Sequence, residues 1–151
     1  KFNLPEKYLL NVGRINTRKN IPNLLKAISN LKDKEIKLVL VGNSEWKTDN
    51  IQELLNDPLI SNRIILTGSV SKEELAIIYA NAYIFCFPSF EEAFGLPPLE
   101  ANDISNAITA LLNDKKLYNK YQSLSTDRAK SFSWSKTAQN LIDILENRYL
   151  N

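Results

Sequence analysis

Two glutamates that enclose a glycine- and proline-containing segment carry the first chemical signal in this chain. Glu92 and Glu100 stand in a Glu-x7-Glu spacing around the run Phe-Gly-Leu-Pro-Pro at 94–98. The apolar run at 83–87 is typical of a buried strand, and prolines are tolerated in the first turn of a helix. The segment is therefore predicted to lie at the carboxyl end of a strand, where ligands bind in open α/β sheets. We expect Glu92 to precede the turn and Glu100 to lie one helical turn inside the helix that follows.

Main-chain N–H groups at the start of that helix are a second source of chemistry. The amides of Phe94, Gly95 and Leu96 have no partner inside the predicted helix, and such amides suit an anionic ligand. A structural alternative exists for both carboxylates, since exposed glutamates are the norm in soluble proteins. Under that alternative, Glu92 and Glu100 are solvated surface groups without a chemical role.

A basic segment at 13–20 lies between the first predicted strand and the first predicted helix, at the same edge of the sheet. Arg14 would bind two oxygens of a pyrophosphate through its planar fork, and Lys19 would act on the same group as a point charge. The alternative is a solvated basic loop that leads into a helix, and the charge pattern alone favours this alternative.

Four glycines mark the strands that must position these groups. Short, mostly apolar runs before them predict parallel strands at 8–12, 36–41, 64–67 and 83–87. The glycines are Gly13, Gly42, Gly68 and Gly95. A glycine after a strand is common in any tight turn, but four at one edge of a sheet indicate a site at that edge.

Helical patterns separate the strands and continue after them. Asn20 and Pro22 are start signals for the first helix, and Ser71 with Glu74 forms a capping box for a later one. Beyond the strands, helices are predicted at about 103–113, 115–130 and 135–149. Alternating strands and helices at this spacing predict a parallel α/β sheet with right-handed crossovers, followed by a helical tail.

The composition excludes several classes of function. The 151 residues suit one domain, and a net charge of +2 gives no indication of nucleic-acid binding. Because the chain has no histidine, a Ser-His-Asp triad and a His-ligated metal site are excluded. No Gly-x-Gly-x-x-Gly follows a strand, which disfavours a dinucleotide-dependent oxidoreductase. Cys86 is the single cysteine, and its apolar neighbours predict an inert buried thiol.

The two motifs together resemble a known family. The two glutamates with Phe-Gly-Leu-Pro-Pro between them resemble the signature of retaining GT-B glycosyltransferases, especially bacterial GT4-type enzymes. The Gly-Arg-x4-Lys-Asn run at 13–20 is similar to the donor-phosphate motif of that family, and Arg14 and Lys19 match it. Arg18 matches no position of the motif, and we expect it to face solvent. The resemblance covers about 8–101 and resumes in the helical tail, including 132–134.

The resemblance implies a Rossmann-like donor-binding domain, one half of a GT-B fold, in an enzyme that transfers a sugar from a nucleotide diphosphate to an acceptor hydroxyl with retained configuration. It makes Glu92 the glutamate near the transferred sugar and Glu100 the acceptor of hydrogen bonds from the ribose hydroxyls. Arg14 and Lys19 would stabilise the departing diphosphate. The other implied donor-binding positions are Gly13 and the amides of Phe94, Gly95 and Leu96 for the diphosphate or sugar, Gly42 and Asn43 for the base and ribose, and Gly68, Ser69 and Val70 for the nucleobase.

Expectations about cofactors, partners and location follow from the resemblance. No metal or other cofactor is required, since the two cations replace it and no Asp-x-Asp is present. The partners are the nucleotide sugar and an N-terminal acceptor domain, without nucleic acid. No apolar stretch approaches the ~20 residues of a membrane span and no signal peptide is recognised, so we expect a cytoplasmic enzyme of bacterial cell-surface polysaccharide or glycolipid synthesis, with peripheral association at the inner face of the membrane.

Two alternatives remain open at this point. One is a non-catalytic module that binds nucleotide sugars. The other is a GT-B-fold sugar-nucleotide epimerase, which the absence of histidine weakens because that chemistry needs acid and base groups.

The chain departs from the family pattern in two ways. Residues 1–151 match the donor-binding half alone, so we expect a C-terminal fragment that is inactive without its N-terminal domain. In the family, a helix and a further strand follow the position of Ala101, whereas Asn102 comes next here. Such a crossover takes a dozen residues or more, and its loss would expose a sheet edge. We therefore expect a segment to be missing between Ala101 and Asn102.

Overall fold

A computed structural model describes residues 2–43, 49–89, 100–130 and 139. The chain forms two compact units, Lys1–Thr109 and Ala110–Asn151, each of which is described by itself. Four predicted site residues, Glu92, Phe94, Gly95 and Leu96, lie outside the described residues, as does the helix predicted at about 135–149 apart from residue 139.

A parallel sheet forms the first unit. The described strands are β1 (Tyr8–Val12), β2 (Lys37–Val41), β3 (Ile64–Gly68) and β4 (Ile84–Phe85), in the order β3-β2-β1-β4. The chain runs outward from β1 through β2 to β3 and then crosses back to place β4 on the other side of β1. This reversal of strand order makes the carboxyl ends of β1 and β4 a topological switch point. The predicted α/β class with a parallel sheet is confirmed.

Helices cover the sheet and bury both faces of its two inner strands, β1 and β2, whereas β3 and β4 are partly exposed. The prediction of a buried strand at 83–87 is therefore wrong at Phe85 and Phe87, whose side chains are exposed at the outer strand of the described sheet. Tyr8 and Leu10, which alternate along β1, pack in one cluster with Val39 of β2 and Ile78 of a helix. Leu9, on the opposite face of β1, is fully buried. Strands covered on both faces read as continuous apolar runs, which is why these strands could be recognised in the sequence.

The described helices match most of the predicted ones. They are α1 (Ile21–Asn30), α2 (Asp49–Asn56), α3 (Pro58–Ser61), α4 (Lys72–Asn81), α5 (Ala101–Asn113) and α6 (Lys115–Lys130). The capping box of α4 is present, since Ser71 Oγ accepts from the Glu74 amide at 3.2 Å and the Ser71 amide donates to Glu74 Oε2 at 2.9 Å. The sequence did not predict α3, a single turn after Asp57, whose carboxylate accepts from the Leu59 amide at 2.9 Å.

A buried arginine joins α1 to β2. Arg63 donates to the main-chain carbonyls of Ile28 and Asp33, the latter at 2.7 Å, and its Nε donates to the carbonyl of Ile36 at 3.3 Å. Burial lowers the pKa of Arg63, whereas the charges of Asp33 and Glu35 act in the opposite direction. Arg63 therefore satisfies carbonyls at the end of α1 and before β2, a structural role that the sequence analysis missed.

The second unit contains α6, whose side chains are mostly exposed. Asp114 begins this helix, because its Oδ1 accepts from the amides of Lys116 and Leu117 at 2.9 and 3.0 Å. Within the described residues, no helix has the length and apolar character needed to cross a membrane.

Candidate functional site

Main-chain hydrogen bonds hold the carboxyl ends of β1, β2 and β3 together. The amide of Gly13 donates to the carbonyl of Val41 at 2.9 Å, and the amide of Gly42 donates to the carbonyl of Gly68 at 3.0 Å. Three turns that the sequence analysis assigned to one site are thereby brought to one edge of the sheet.

Close packing between the first two of these turns requires glycine. Gly42 has a φ of +137°, and a Cβ added there would lie 2.9 Å from the carbonyl carbon of Gly13 and closer still to its oxygen. Gly13 also has a positive φ, of +144°, but a Cβ there would meet open space. The glycine at 42 is therefore required by a close approach of two main chains as well as by its own conformation.

The turns after β2 and β3 are also linked through a polar side chain. The carbonyl of Asn43 accepts from the amide of Ile15 at 3.1 Å, and Asn43 Oδ1 accepts from Ser69 Oγ at 2.8 Å. Both Asn43 and Ser69 are exposed, so their remaining polar groups are accessible to a ligand. Val70 packs its side chain against the core, and only its main chain would be available to the site.

A cationic cavity lies beside these turns. Its volume is about 230 Å³, and the described residues that line it are Arg14, Asn16, Arg18, Lys19 and Ser89. Three of these five side chains are cations and none is a carboxylate, so the cavity suits an anion. The structure thus brings Arg14 and Lys19 together, as the sequence predicted. Arg18 is exposed, as expected, yet it lines the same cavity, which the motif match did not indicate.

A buried asparagine shapes the basic loop. Asn16 Oδ1 accepts from the amide of Lys19 at 3.0 Å, and the carbonyl of Thr17 accepts from the amide of Asn20 at 2.9 Å. Asn20 then adopts a left-handed conformation, with a φ of 57°, immediately before α1. The sequence analysis missed Asn16. The available signal was its residue type, since asparagine side chains commonly close turns on their own backbone.

The segment after β4 is fixed to β1 by two hydrogen bonds. The amide of Cys86 donates to the carbonyl of Leu10 at 2.7 Å, and the buried side chain of Asn11 donates to the carbonyl of Cys86 at 2.8 Å. The Cys86 side chain is buried, which confirms the prediction of a buried thiol, and burial raises the pKa of this thiol to about 12. Further along, Ser89 Oγ donates to the carbonyl of Arg18 at 3.4 Å.

Glu100 lies at the start of α5, so the prediction that it lies one turn inside a helix is wrong. Its carbonyl accepts from the amide of Ile104 at 3.1 Å, and its own amide donates to Asp103 Oδ2 at 3.3 Å. A carboxylate three positions into a helix that accepts from the preceding amide is one half of a capping box. Asp103 therefore fixes the start of α5 at Ala101 and leaves the exposed side chain of Glu100 at its amino end.

Comparison with known proteins identifies the family. The sequence profile described as "Glycosyl transferases group 1" matches residues 1–105, more than half of the chain. The chain belongs to this family.

Its relatives include enzymes named as mannosyltransferases. It is 25% identical over 179 positions to the serotype-specific mannosyltransferase WbdA of Escherichia coli, an alignment that covers 95% of this chain and 22% of WbdA. It is 31% identical to the O-antigen chain mannosyltransferase RfbU of Salmonella typhimurium, over 64% of this chain and 27% of RfbU. It is 38% identical to the O-antigen chain mannosyltransferase B of Escherichia coli, over 62% of this chain and 26% of that protein. The chain thus spans about a quarter of the length of these curated relatives.

Solved structures agree on the fold. The Anabaena protein Alr3699/HepE, solved in complex with UDP and glucose, matches 93% of this chain and 48% of its own, with a TM-score of 0.73 at 15% identity. The catalytic domain of the Helicobacter pylori cholesterol-alpha-glucosyltransferase matches 85% of this chain and 100% of its own, with a TM-score of 0.69 at 20% identity. At these identities the likeness establishes the fold alone. That fold is the predicted GT-B type.

Proposed function

We propose that this chain is the donor-binding half of a retaining glycosyltransferase and that it binds the diphosphate of a nucleotide sugar in the cationic cavity. The observation that carries the proposal is the convergence of Arg14, Arg18 and Lys19 on one cavity at the switch point of the sheet. A diphosphate is the ligand group that best matches such a cavity, because it presents several anionic oxygens to cations held at fixed positions. Membership of the glycosyl transferases group 1 family supports the same ligand.

The proposed reaction depends on departure of the diphosphate from an oxocarbenium-like sugar. Arg14 and Lys19 stabilise the negative charge that develops on the leaving group, and they are already in place before the reaction begins. Lys19 is half-buried, so solvent screens its charge less than that of an exposed cation. These charges make a metal ion unnecessary in the proposed mechanism, and Glu92, which lies outside the described residues, orients the sugar.

The nucleoside is assigned to the neighbouring turns. Gly42 and Asn43 offer main-chain and amide groups near the base and ribose, and Gly68, Ser69 and Val70 offer main-chain groups to the base. These positions are linked directly to the basic loop by the contacts between Gly13 and Val41 and between Ile15 and Asn43. Glu100, exposed at the start of α5, accepts hydrogen bonds from the ribose hydroxyls.

The parent enzyme is proposed to act in bacterial cell-surface polysaccharide synthesis. Support comes from the relatives named as O-antigen chain mannosyltransferases, which also make mannose the first sugar to test. The acceptor is held by a separate N-terminal domain, and the parent enzyme works in the cytoplasm at the inner face of the membrane.

A missing internal segment is part of the proposal. The alignment with WbdA occupies 179 positions, whereas the whole chain has 151 residues. WbdA therefore carries at least 28 residues within the aligned region that have no counterpart here. A helix and a strand need about that many residues, so the length of the alignment supports a missing helix and strand. Their place between Ala101 and Asn102 rests on the family pattern described above.

A transfer assay tests the proposed function. Nucleotide sugars carrying labelled mannose or glucose are offered to the chain alone and to the chain joined to the acceptor domain of a relative. In the joined protein the residues proposed to be missing after Ala101 are supplied from the same relative, and hydrolysis and transfer are measured separately. We expect transfer from the joined protein only. If the joined protein binds donor but neither hydrolyses nor transfers it, the chain is a binding module and the proposed activity is wrong.

A further inference from the structure

Strand β4 and the segment after it carry a row of aromatic side chains. Phe85 and Phe87 are two positions apart and therefore point to the same side, and their rings stack with centroids 6.0 Å apart. Tyr79 of α4 extends the row, with its ring 5.2 Å from that of Phe85. Phe85 is 45% exposed and Phe87 is 48% exposed. Packing in the core therefore does not explain why residue 87 is aromatic.

The end of this row lies under a cation of the candidate site. Lys19 Nζ is 5.2 Å from the centroid of the Phe87 ring, within the roughly 6 Å at which a cation is attracted to a ring face. The main chain of Lys19 is fixed separately, because its amide donates to the buried Asn16 side chain at 3.0 Å. The main chain and the ammonium group of Lys19 thus each have a defined contact.

The ring itself stands on a rigid support. Cys86, the residue before it, exchanges hydrogen bonds with Leu10 and Asn11 of β1. Two residues after it, Ser89 Oγ donates to the carbonyl of Arg18. The residue before Phe87 is therefore bound to β1, and the second residue after it is bound to the basic loop.

We propose that Phe87 is a positioning residue that holds the ammonium group of Lys19 at the cationic cavity before the donor arrives. The four-carbon stem of a lysine has considerable rotamer freedom, which is lost when its ammonium binds an anion. A ring face that already restricts the ammonium reduces that loss and so strengthens binding. The inference rests on the proposed function, because the anion in question is the donor diphosphate.

Calorimetric titration with nucleoside diphosphates and the corresponding nucleosides tests this role. Phe87→Leu removes the ring face and keeps an apolar side chain, Phe87→Tyr keeps the face, and Phe85→Leu is the matched control on the same side. We expect Phe87→Leu to weaken diphosphate binding about two- to fivefold, the range for an exposed cation–π contact. Nucleoside binding should not change, and Phe87→Tyr and Phe85→Leu should resemble the wild type.

A double-mutant comparison separates positioning from structure. In a Lys19→Ala background, Phe87→Leu should have no further effect on diphosphate affinity. An equal loss in both backgrounds, or equal losses from Phe87→Leu and Phe85→Leu, would show that the ring acts through the fold and would overturn the proposal.

A ligand-free measurement keeps the inference separate from the proposed function. In the free protein, the Cε protons of Lys19 should show an upfield ring-current shift in NMR spectra, lost in Phe87→Leu and retained in Phe87→Tyr. Absence of the shift in the wild type overturns the positioning role. If the shift is present but no nucleoside diphosphate binds, the proposed function fails and the contact between Lys19 and Phe87 stands.

Discussion

At the scale of single residues, substitution of each cation in the basic loop tests whether the loop binds a diphosphate. Arg14→Ala and Lys19→Ala should each weaken nucleoside diphosphate binding by about 1.5–3 kcal/mol, the range for a hydrogen bond to a charged group. Arg18→Ala should cost less, because Arg18 matches no position of the donor-phosphate motif. Arg14 and Arg18 are both exposed, whereas Lys19 is half-buried on Phe87. Calorimetric titration measures all three. Equal losses at the three positions would indicate a diffuse basic surface in place of a phosphate clamp.

The two carboxylates should separate the sugar from the nucleotide. Glu100→Gln should weaken binding of both the nucleoside diphosphate and the nucleotide sugar, since its proposed partners are the ribose hydroxyls common to both ligands. Glu92→Gln should weaken only the sugar-bearing ligand. Calorimetric titration of each variant with the nucleoside diphosphate and with the nucleotide sugar measures the two affinities. A loss of affinity for both ligands in Glu92→Gln would refute this division of roles.

Cys86 should be unreactive in the folded protein. Burial raises the pKa of its thiol to about 12, so it remains protonated at pH 7–8, and the thiolate is the reactive form. Alkylation by iodoacetamide, followed by mass spectrometry, should be slow in buffer and rapid in denaturant. Rapid alkylation of the folded protein would contradict the burial of this residue beneath the loop.

At the scale of elements, the contact between the turns after β1 and β2 can be tested with two glycines. Gly42→Ala should lower the free energy of unfolding by on the order of 1–3 kcal/mol, since the added methyl group meets the Gly13 carbonyl. Gly13→Ala imposes a similar conformational strain without the collision, and its effect should be smaller. Urea denaturation measures both variants. If the two variants lose the same free energy of unfolding, the close approach of the two turns does not contribute to stability.

The strands could be predicted where both of their faces are buried, and less well where a side chain ends the pairing. The run at 83–87 is apolar throughout, yet β4 is only Ile84–Phe85. The carbonyl of Cys86 accepts from the side chain of Asn11 at 2.8 Å, so a side chain takes the place of a further ladder hydrogen bond. This is a long-range contact, and the local pattern of hydrophobic residues contains no sign of it.

The site could be predicted in part for a similar reason. Arg14 and Lys19 were recognisable because their spacing matches a motif, and the structure places both at one cavity. Asn16, Phe87 and Ser89 contribute through contacts that depend on how the loop folds onto the segment after β4. The helix predicted at about 103–113 agrees with α5 within two residues. The position of Glu100 was predicted incorrectly because the contact between its amide and Asp103, which places Glu100 just before α5, was not recognised.

At the scale of the whole molecule, the described sheet ends at the short strand β4. Within the described residues, this outer strand and the segment after it carry the exposed aromatic side chains of Phe85 and Phe87, and a sheet edge with exposed apolar side chains is a site of unwanted association. If residues are missing between Ala101 and Asn102, peptides of the protein isolated from its natural source should contain additional residues directly after Ala101. Peptide mapping by mass spectrometry measures this. A peptide that joins Ala101 directly to Asn102 would contradict the omission.

The proposed reaction requires more than a donor-binding half. The acceptor hydroxyl must be held within roughly 3–3.5 Å of the anomeric carbon, and the proposal assigns that task to the N-terminal domain. Closure of two domains around the donor also adds contacts and excludes water. The chain alone should therefore bind nucleotide sugar weakly, and sustained transfer by the chain alone would overturn the two-domain account.

Calorimetric titration of the chain with UDP, GDP and ADP, each paired with its nucleoside and repeated at several salt concentrations, tests the central claim most directly. The cationic cavity predicts that at least one diphosphate binds, that its nucleoside binds much more weakly, and that the affinity for the diphosphate falls as salt rises. It also predicts that Arg14→Ala with Lys19→Ala abolishes the difference between diphosphate and nucleoside. Binding of a diphosphate and its nucleoside with equal affinity in the wild type would contradict the assignment of this cavity to the donor diphosphate.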